Sequence, residues 1–334
     1  MDYHTIFSSP LSIEEILSID EENFFNAVSK IFQFQYNNIP VYRQWVNTLG
    51  KNATAPPPSF NQPVFIPISF FKTHQLIVSG ATPEIIFTSS GTTGLQTSRH
   101  YVHILDWYRK SFTAAFRLFY GEPTDWAIIG LLPSYLERQG SSLVLMVEGL
   151  IKASQNKDSG LLLYDFTRLN EVLKKREAAG QKTWLIGVTY ALLDFAEQYP
   201  MQLNHTVVVE TGGMKGRKKE VTRMEVQQKL KQAFQLHAIH SEYGMTELLS
   251  QGYSTGNGLF KCPPWMKVMV RDEDDPMLIK TSGTGALCII DLANMYSCSF
   301  IATADIGKVY TDGSFEVLGR MDNSDTRGCS LLAL

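Results

Sequence analysis

Residues 87–94 read FTSSGTTG, and they follow the apolar pair Ile85-Ile86. Thr88, Ser89, Ser90, Thr92 and Thr93 supply five hydroxyls, and Gly91 and Gly94 remove side-chain bulk. The stretch carries no charge. Backbone N–H groups freed of neighbouring side chains, with hydroxyls beside them, suit an anion that approaches closely. Read alone, the loop fits either a phosphate cradle or a polar hairpin turn. It lacks the Gly-Lys-Ser/Thr ending of the Walker loop.

Around this loop the chain alternates apolar strands with amphipathic helices. Residues 84–88 read as a buried strand. Residues 103–120 form a helix with Leu105, Tyr108, Phe112, Phe116 and Phe119 on one side. Strands at 125–132, 183–187 and 206–210 alternate with helices at 141–153, from Asp165 to near Gly180, at 188–198 and at about 217–235. That rhythm predicts an α/β core with a mainly parallel sheet. After residue 264 the pattern changes to strands at 266–271, 285–291, 307–311 and 315–318, a small β-rich subdomain. Before the core, Ser12 and Glu15 make a capping box for a helix running to about residue 35. A Pro-rich linker, 50–63, follows. The expected organisation is therefore an N-terminal helical segment with its linker (1–60), an α/β core (61–264), and a β-rich subdomain with a C-terminal tail (265–334).

Composition limits the function classes. The 334 residues include 44% hydrophobic and 19% charged, an ordinary globular balance, with a net charge of −3. No nucleic-acid or anionic-membrane affinity is expected from it. No apolar run reaches the length of a membrane span, and the N-terminus has no secretory pattern. The four cysteines, Cys262, Cys288, Cys298 and Cys329, form no metal-type pairs, so a reduced, cytoplasmic setting is expected.

Three further stretches can carry chemistry. In HSEYGMTELLS (240–250), Tyr243 can lie on a planar ring, Thr246 can bond a phosphate oxygen, and Glu247 can hold magnesium. Alone, this reads more readily as a helix start with an incidental tyrosine. In IATADIGKVY (301–310), Asp305 sits among apolar residues at a strand-to-turn position, where a carboxylate needs a partner. In LGRMDNSDTRGCS (318–330), Arg320 follows a strand. Each of the last two also reads as a polar turn.

Taken in order, S-S-G-T-T-G, Y-G-M-T-E, T-A-D-I-G and G-R-x-D resemble the adenylate-forming superfamily of acyl-CoA synthetases, adenylation domains and luciferases. LLPSYLERQGSSL (131–143) and ETGGMKG (210–216) fit the same order, and the likeness spans about residues 84–328. The spelling of the first loop, the R-H-Y after it, and R-G-C near the end most resemble the acyl-protein synthetase (LuxE-type) family. The resemblance implies the α/β fold of the superfamily's N-terminal domain, with mainly parallel sheets, a β-rich subdomain and no mobile C-terminal domain. It implies ATP and Mg2+ as cofactors, activation of a fatty or aryl carboxylic acid, and transfer of the acyl group to a thiol, with a possible acyl-accepting partner protein.

Carried over by position, Thr88 to Gly94 would hold the β,γ-phosphates. Gly212 and Gly213 would flank adenine and acyl group. Tyr243 with Gly244 would meet adenine, Thr246 the α-phosphate, Glu247 the magnesium, and Asp305 and Arg320 the ribose. Tyr135, Thr189, Tyr190 and Met214 would line the acid pocket. Cys329 would accept the acyl group, and Arg327 beside it would favour the thiolate. The sequence departs from the superfamily where a Pro-Lys pair is usual after the glycine loop. Here Leu95 to Arg99 stand instead, and Arg99 is the candidate substitute. A CoA- or amide-forming ligase shares the first half-reaction, and a nucleotide-binding scaffold subunit is the alternative of another class.

Overall fold

A computed structural model of the protein describes residues 9–50, 64–89, 97–132, 139–163, 165–212, 222–272, 275 and 277–321. The N-terminal segment is three helices rather than one. Ser12 and Glu15 form the expected capping box on α1 (Ile13–Leu17). Asp20 then accepts from Asn23 N and opens α2 (Glu21–Asn38), and Pro40 opens α3 (Pro40–Thr48). A short carboxylate side chain competes with the helix for backbone N–H groups, so the chain restarts at Asp20.

The chain continues through β1 (Ile66–Pro67), α4 (Phe70–Thr73), β2 (Ile85–Thr88), β3 (Arg99–Val102) and α5 (Leu105–Tyr120). Next come β4 (Ala127–Leu131), α6 (Ser142–Ser154), β5 (Gly160–Leu161), α7 (Phe166–Ala178), β6 (Thr183–Val188), α8 (Thr189–Gln198) and β7 (Thr206–Thr211). They are followed by α9 (Arg223–Phe234), β8 (His240–Tyr243) and β9 (Gly252–Ser254). The chain then makes β10 (Met266–Arg271), β11 (Ile279–Lys280), β12 (Gly283–Asp291), β13 (Phe300–Val309) and β14 (Phe315–Arg320).

One sheet has the order β5-β4-β6-β7-β8-β9, parallel except for the last strand. Its strands β4, β6 and β7 carry apolar residues on both sides, as helix-covered parallel strands must. Ile128, Trp184, Ile186 and Val209 pack into the core shared with α5 and α6, while Ile129, Leu131, Leu185 and Val208 pack under α7, α8 and α9. The second sheet runs β1-β13-β12-β10-β11, with β14 also on β13, and is antiparallel apart from the β1–β13 pair. The larger core joins the N-terminal helices to this sheet. Strands β2 and β3 form a separate antiparallel pair.

One boundary differs from the sequence reading in a way that matters for the site. The strand expected at 307–311 begins at Phe300, so Asp305 lies inside β13 rather than at a strand-to-turn junction. The run Phe300–Ala304 is buried on both sides and shows no alternation, which hides a strand from a period-two reading. The β13–β14 register shifts between Ile306 and Gly307. A Cβ at Gly307 would stand 2.3 Å from Glu316 O, so this bulge requires glycine.

Candidate functional site

Thr88 and Arg99 face each other across β2 and β3, the antiparallel strands flanking the glycine-rich stretch. Ser89 N donates to Ser98 O at 3.1 Å, and Ser98 N donates to Ser89 Oγ at 2.9 Å. Thr88 N donates to Gly140 O at 2.8 Å. Gly140 has φ +78, and a Cβ there would lie 2.8 Å from Thr88 Oγ1. A side chain at 140 would therefore push this strand end away. Thr88 and Ser89 are half-buried and Arg99 is exposed. Ser90, Gly91, Thr92, Thr93 and Gly94 lie outside the described residues, as do Tyr135, Gly213, Met214 and Cys329.

The tyrosine, aspartate and arginine of three separate motifs meet. Tyr243 Oη donates to Asp305 Oδ2 at 2.9 Å, and Arg320 Nε lies 3.8 Å from Asp305 Oδ1. Asp305 and Arg320 are direct cross-strand partners of β13 and β14, so the sheet sets their spacing. The Tyr243 ring meets Phe260 and Phe315 edge-on, at centroid distances of 5.9 and 5.3 Å. Burial and the Asp305 carboxylate push its phenol well above the usual range. It therefore stays a hydrogen-bond donor at neutral pH.

Glu247 is 5% exposed. Burial pushes its carboxyl upward, while a hydrogen bond with the Ser98 side chain and the charge of Arg320 pull it down, and Asp305 pushes it up. Ser98 from the β2–β3 turn, with Arg320 and Asp305 from the β13–β14 pair, thus acts on the carboxylate of the Y-G-M-T-E stretch. The backbone carrying it is fixed from beneath. His100 Nδ1 lies 2.8 Å from Thr246 O, and His100 Nε2 lies 2.9 Å from Asn294 Oδ1. Asn294 Nδ2 donates to Glu247 O at 2.8 Å and to Cys298 O at 2.9 Å. Those bonds favour a charged imidazole, but full burial outweighs them and holds His100 down to about 4, neutral at pH 7. His100 is thus a buried support for Thr246 rather than a surface ligand.

The expected acid-pocket residues lie at the carboxyl ends of β6 and β7. Thr189 Oγ1 is 2.6 Å from Gly212 O and 3.0 Å from Glu210 Oε2. Gly212 has φ +71, which favours glycine. Tyr190 packs against the core under α8 and α9. Two carboxylates here escaped the sequence reading. Glu210 accepts from Ser241 Oγ at 3.1 Å, with Arg223 Nε 3.7 Å away. Glu242 accepts from Thr211 Oγ1, and burial, assisted by Glu210, pushes its carboxyl up to about 7. The only hint in the sequence was a glutamate inside an otherwise buried strand. The three described cysteines carry thiols pushed up by burial, Cys288 and Cys298 to about 12. None of these is poised as a nucleophile.

No protein-family model matches the sequence, and no curated protein matches it. Solved structures do match in fold. ATP-bound MatB from Rhodopseudomonas palustris superposes with a TM-score of 0.55 at 17% identity, over 73% of this chain and 49% of that one. A 2-hydroxyisobutyryl-CoA ligase in complex with 2-HIB-AMP and CoA gives 0.67 at 14% identity, over 91% of this chain and 68% of that one. A luciferase-like enzyme from the Zophobas morio mealworm gives 0.51 at 15%, covering 73% and 59%. The chain spans about half the length of MatB. The protein has the α/β fold of the N-terminal domain of adenylate-forming enzymes.

Proposed function

We propose that the protein uses ATP to convert a fatty or aryl carboxylic acid into its acyl-adenylate and passes the acyl group to a thiol, in the manner of an acyl-protein synthetase. The observation that carries this reading is the convergence of Tyr243, Asp305, Arg320, Ser98 and Glu247 from distant parts of the chain. Tyr243, Ser98 and Glu247 of this set are buried, and burying polar groups costs free energy unless something compensates.

In this reading the acid's carboxylate oxygen bonds to the α-phosphorus of ATP and the bond to the pyrophosphate oxygen breaks. Pyrophosphate leaves, and a thiolate then displaces AMP from the acyl carbon. The first step makes no covalent bond to the protein, so catalysis is positioning and charge stabilisation. Thr88 and Ser89 contribute donors to the β,γ-phosphates, and exposed Arg99 supplies positive charge beside them. Asp305, held by Tyr243 and Arg320, accepts from the ribose hydroxyls. Thr246 faces the α-phosphate. Glu247 would hold Mg2+, which supplies charge neutralisation at the phosphates. Its carboxyl is destabilised by burial and by Asp305, a balance that a divalent cation reverses, and magnesium shared between one carboxylate and phosphates is an ordinary arrangement.

Cys329 is the thiol of the acyl-protein synthetase reading, handing the acyl group to a partner protein. CoA as acceptor is the second reading, favoured by the fold likeness to a ligase solved with CoA. Carboxylate-dependent exchange of labelled pyrophosphate into ATP tests the first half. Cys329→Ser separates the acceptors. Loss of covalent acyl transfer with exchange intact supports the protein thiol, whereas unchanged thioester formation on CoA supports the second reading.

A further inference from the structure

Glu242 precedes Tyr243 in β8, yet it belongs to a different environment. It is 9% exposed, and its one hydrogen bond among the described residues comes from Thr211. No cation among the described residues pairs with it, in contrast to Glu210 with its Arg223. Side chains that interact with its charge are Tyr108, Tyr120 and Tyr253, all phenols. Tyr108 Oη is committed to Ser142 O and Tyr120 Oη lies against His240 Nδ1.

Tyr253 differs. It is the direct cross-strand partner of Glu242, so both side chains lie on one face of the sheet. It is 1% exposed, and its hydroxyl has no hydrogen-bond partner among the described residues. Gln251 is 4% exposed, and its Oε1 likewise has no partner among the described residues. Gln251 and Glu242 border the same glycine. A Cβ at Gly244 would stand 2.3 Å from Glu242 Oε1 and 3.4 Å from Gln251 Cγ. Gly244 itself is exposed, so the Glu242 carboxylate reaches a point where the surface opens.

Three buried oxygens with unused hydrogen-bonding capacity among the described residues thus belong to side chains beside the Y-G-M-T-E stretch, and two of these side chains, Glu242 and Gln251, border the exposed Gly244. Buried polar groups are ordinarily satisfied, and the Glu242 and Gln251 oxygens can accept from a bound molecule while the Tyr253 hydroxyl can bond to it as donor or acceptor. Building on the adenylation reading, we propose that Glu242, Gln251 and Tyr253 form the remote end of the acid pocket and select a carboxylic acid carrying an O–H or N–H donor away from its carboxyl group. Chain geometry also limits the acid's length. Glu242 and Thr246 are four positions apart, so their Cα atoms are at most about 14 Å apart. That span accommodates a substituted aryl acid and cuts short a long alkyl chain. The acid expected is a hydroxy- or amino-substituted aryl carboxylate.

ATP–pyrophosphate exchange with the whole protein tests this on benzoate, its hydroxy and amino derivatives, and alkanoates of increasing length. A donor-bearing benzoate should exceed benzoate itself by at least about tenfold in kcat/KM, because a site built for a donor rejects the analogue that leaves its groups unpaired. Glu242→Ala should bring that ratio close to one while exchange with benzoate persists. Glu242→Gln, nearly the same size, guards against a folding defect and should lower the ratio for the amino acids more than for the hydroxy acids. Exchange that is equal for benzoate and its derivatives, or best with long alkanoates, overturns the subsite and leaves adenylation standing. Ratios unchanged in both variants overturn it too. Exchange with no acid, in protein that binds ATP, overturns adenylation and this subsite with it.

Discussion

Glu242 and Glu247 are the same residue type, five positions apart, and both are buried. Their surroundings differ. Glu247 is bonded to the Ser98 side chain and lies in the field of Arg320, so its charged form has support. Glu242 has one threonine hydroxyl, a second carboxylate nearby and a wall of phenols, and burial moves it to about 7. In the proposed assignment the first would meet a cation that favours its charged form. The second gains from any group that donates a proton or a hydrogen bond. Burial alone therefore does not define what a carboxylate does. Its neighbours decide.

The largest effect expected is at Glu247. Glu247→Gln keeps shape and removes the charge, and exchange should fall by about 100-fold or more, the scale of losing one preorganised electrostatic contact. The thermal midpoint should hold or rise, because a buried carboxylate has been replaced. Unchanged exchange would remove Glu247 from the site.

Glu242 should reveal itself through pH. Its folded value, about 7, exceeds the ordinary 4.5, so the folded state holds its proton more tightly than the unfolded chain. The resulting stability is fully present below about 4.5 and is lost as pH rises through about 7. The full span is on the order of 3 kcal/mol. Denaturant titrations from pH 5 to pH 8 should show that decline, and Glu242→Gln should flatten it. A slope that is the same in both proteins would place the carboxyl near its ordinary value.

The same contrast explains what the sequence disclosed. The succession of strands and helices along the core followed from apolar periodicity, because α5, β4, β6 and β7 keep their patterns over whole elements. The break at Asp20 was masked by an apolar stripe that continues through Leu17, Ile19 and Phe24. The meeting of Tyr243, Asp305 and Arg320 came only from likeness of motif order, since no local pattern joins positions 62 residues apart. Asn294 and Ser98 were invisible as parts of the site. Their chemistry toward Glu247 depends on tertiary placement, and neither residue type is unusual in a loop or turn. Glu242 stood in plain view inside a quoted motif, but that no cation among the described residues pairs with it depends on the fold.

Asp305→Asn tests the cationic side of the comparison at smaller scale. It weakens the Arg320 contact and the acceptor offered to Tyr243 and to a ribose. A charge-assisted hydrogen bond is worth about 1.5–3 kcal/mol, so KM for ATP should rise by roughly tenfold to a hundredfold with kcat less affected. A change confined to kcat would contradict the ribose assignment.

Ser98→Ala should give the smallest effect and the sharpest one. The backbone bonds joining Ser89 and Ser98 use the Ser98 N–H and carbonyl, so the turn keeps them. Only the hydroxyl that lowers the Glu247 carboxyl is lost. One neutral hydrogen bond contributes about 1 kcal/mol, so exchange at neutral pH should fall about fivefold. Without that bond, burial raises the Glu247 carboxyl further, and the acid limb of the pH–rate profile should move to higher pH. A loss of rate with no movement of that limb would mean that Ser98 acts on the turn and not on the carboxylate. Ser98→Thr, which restores the hydroxyl, should return the limb toward its original position even where the added methyl costs stability.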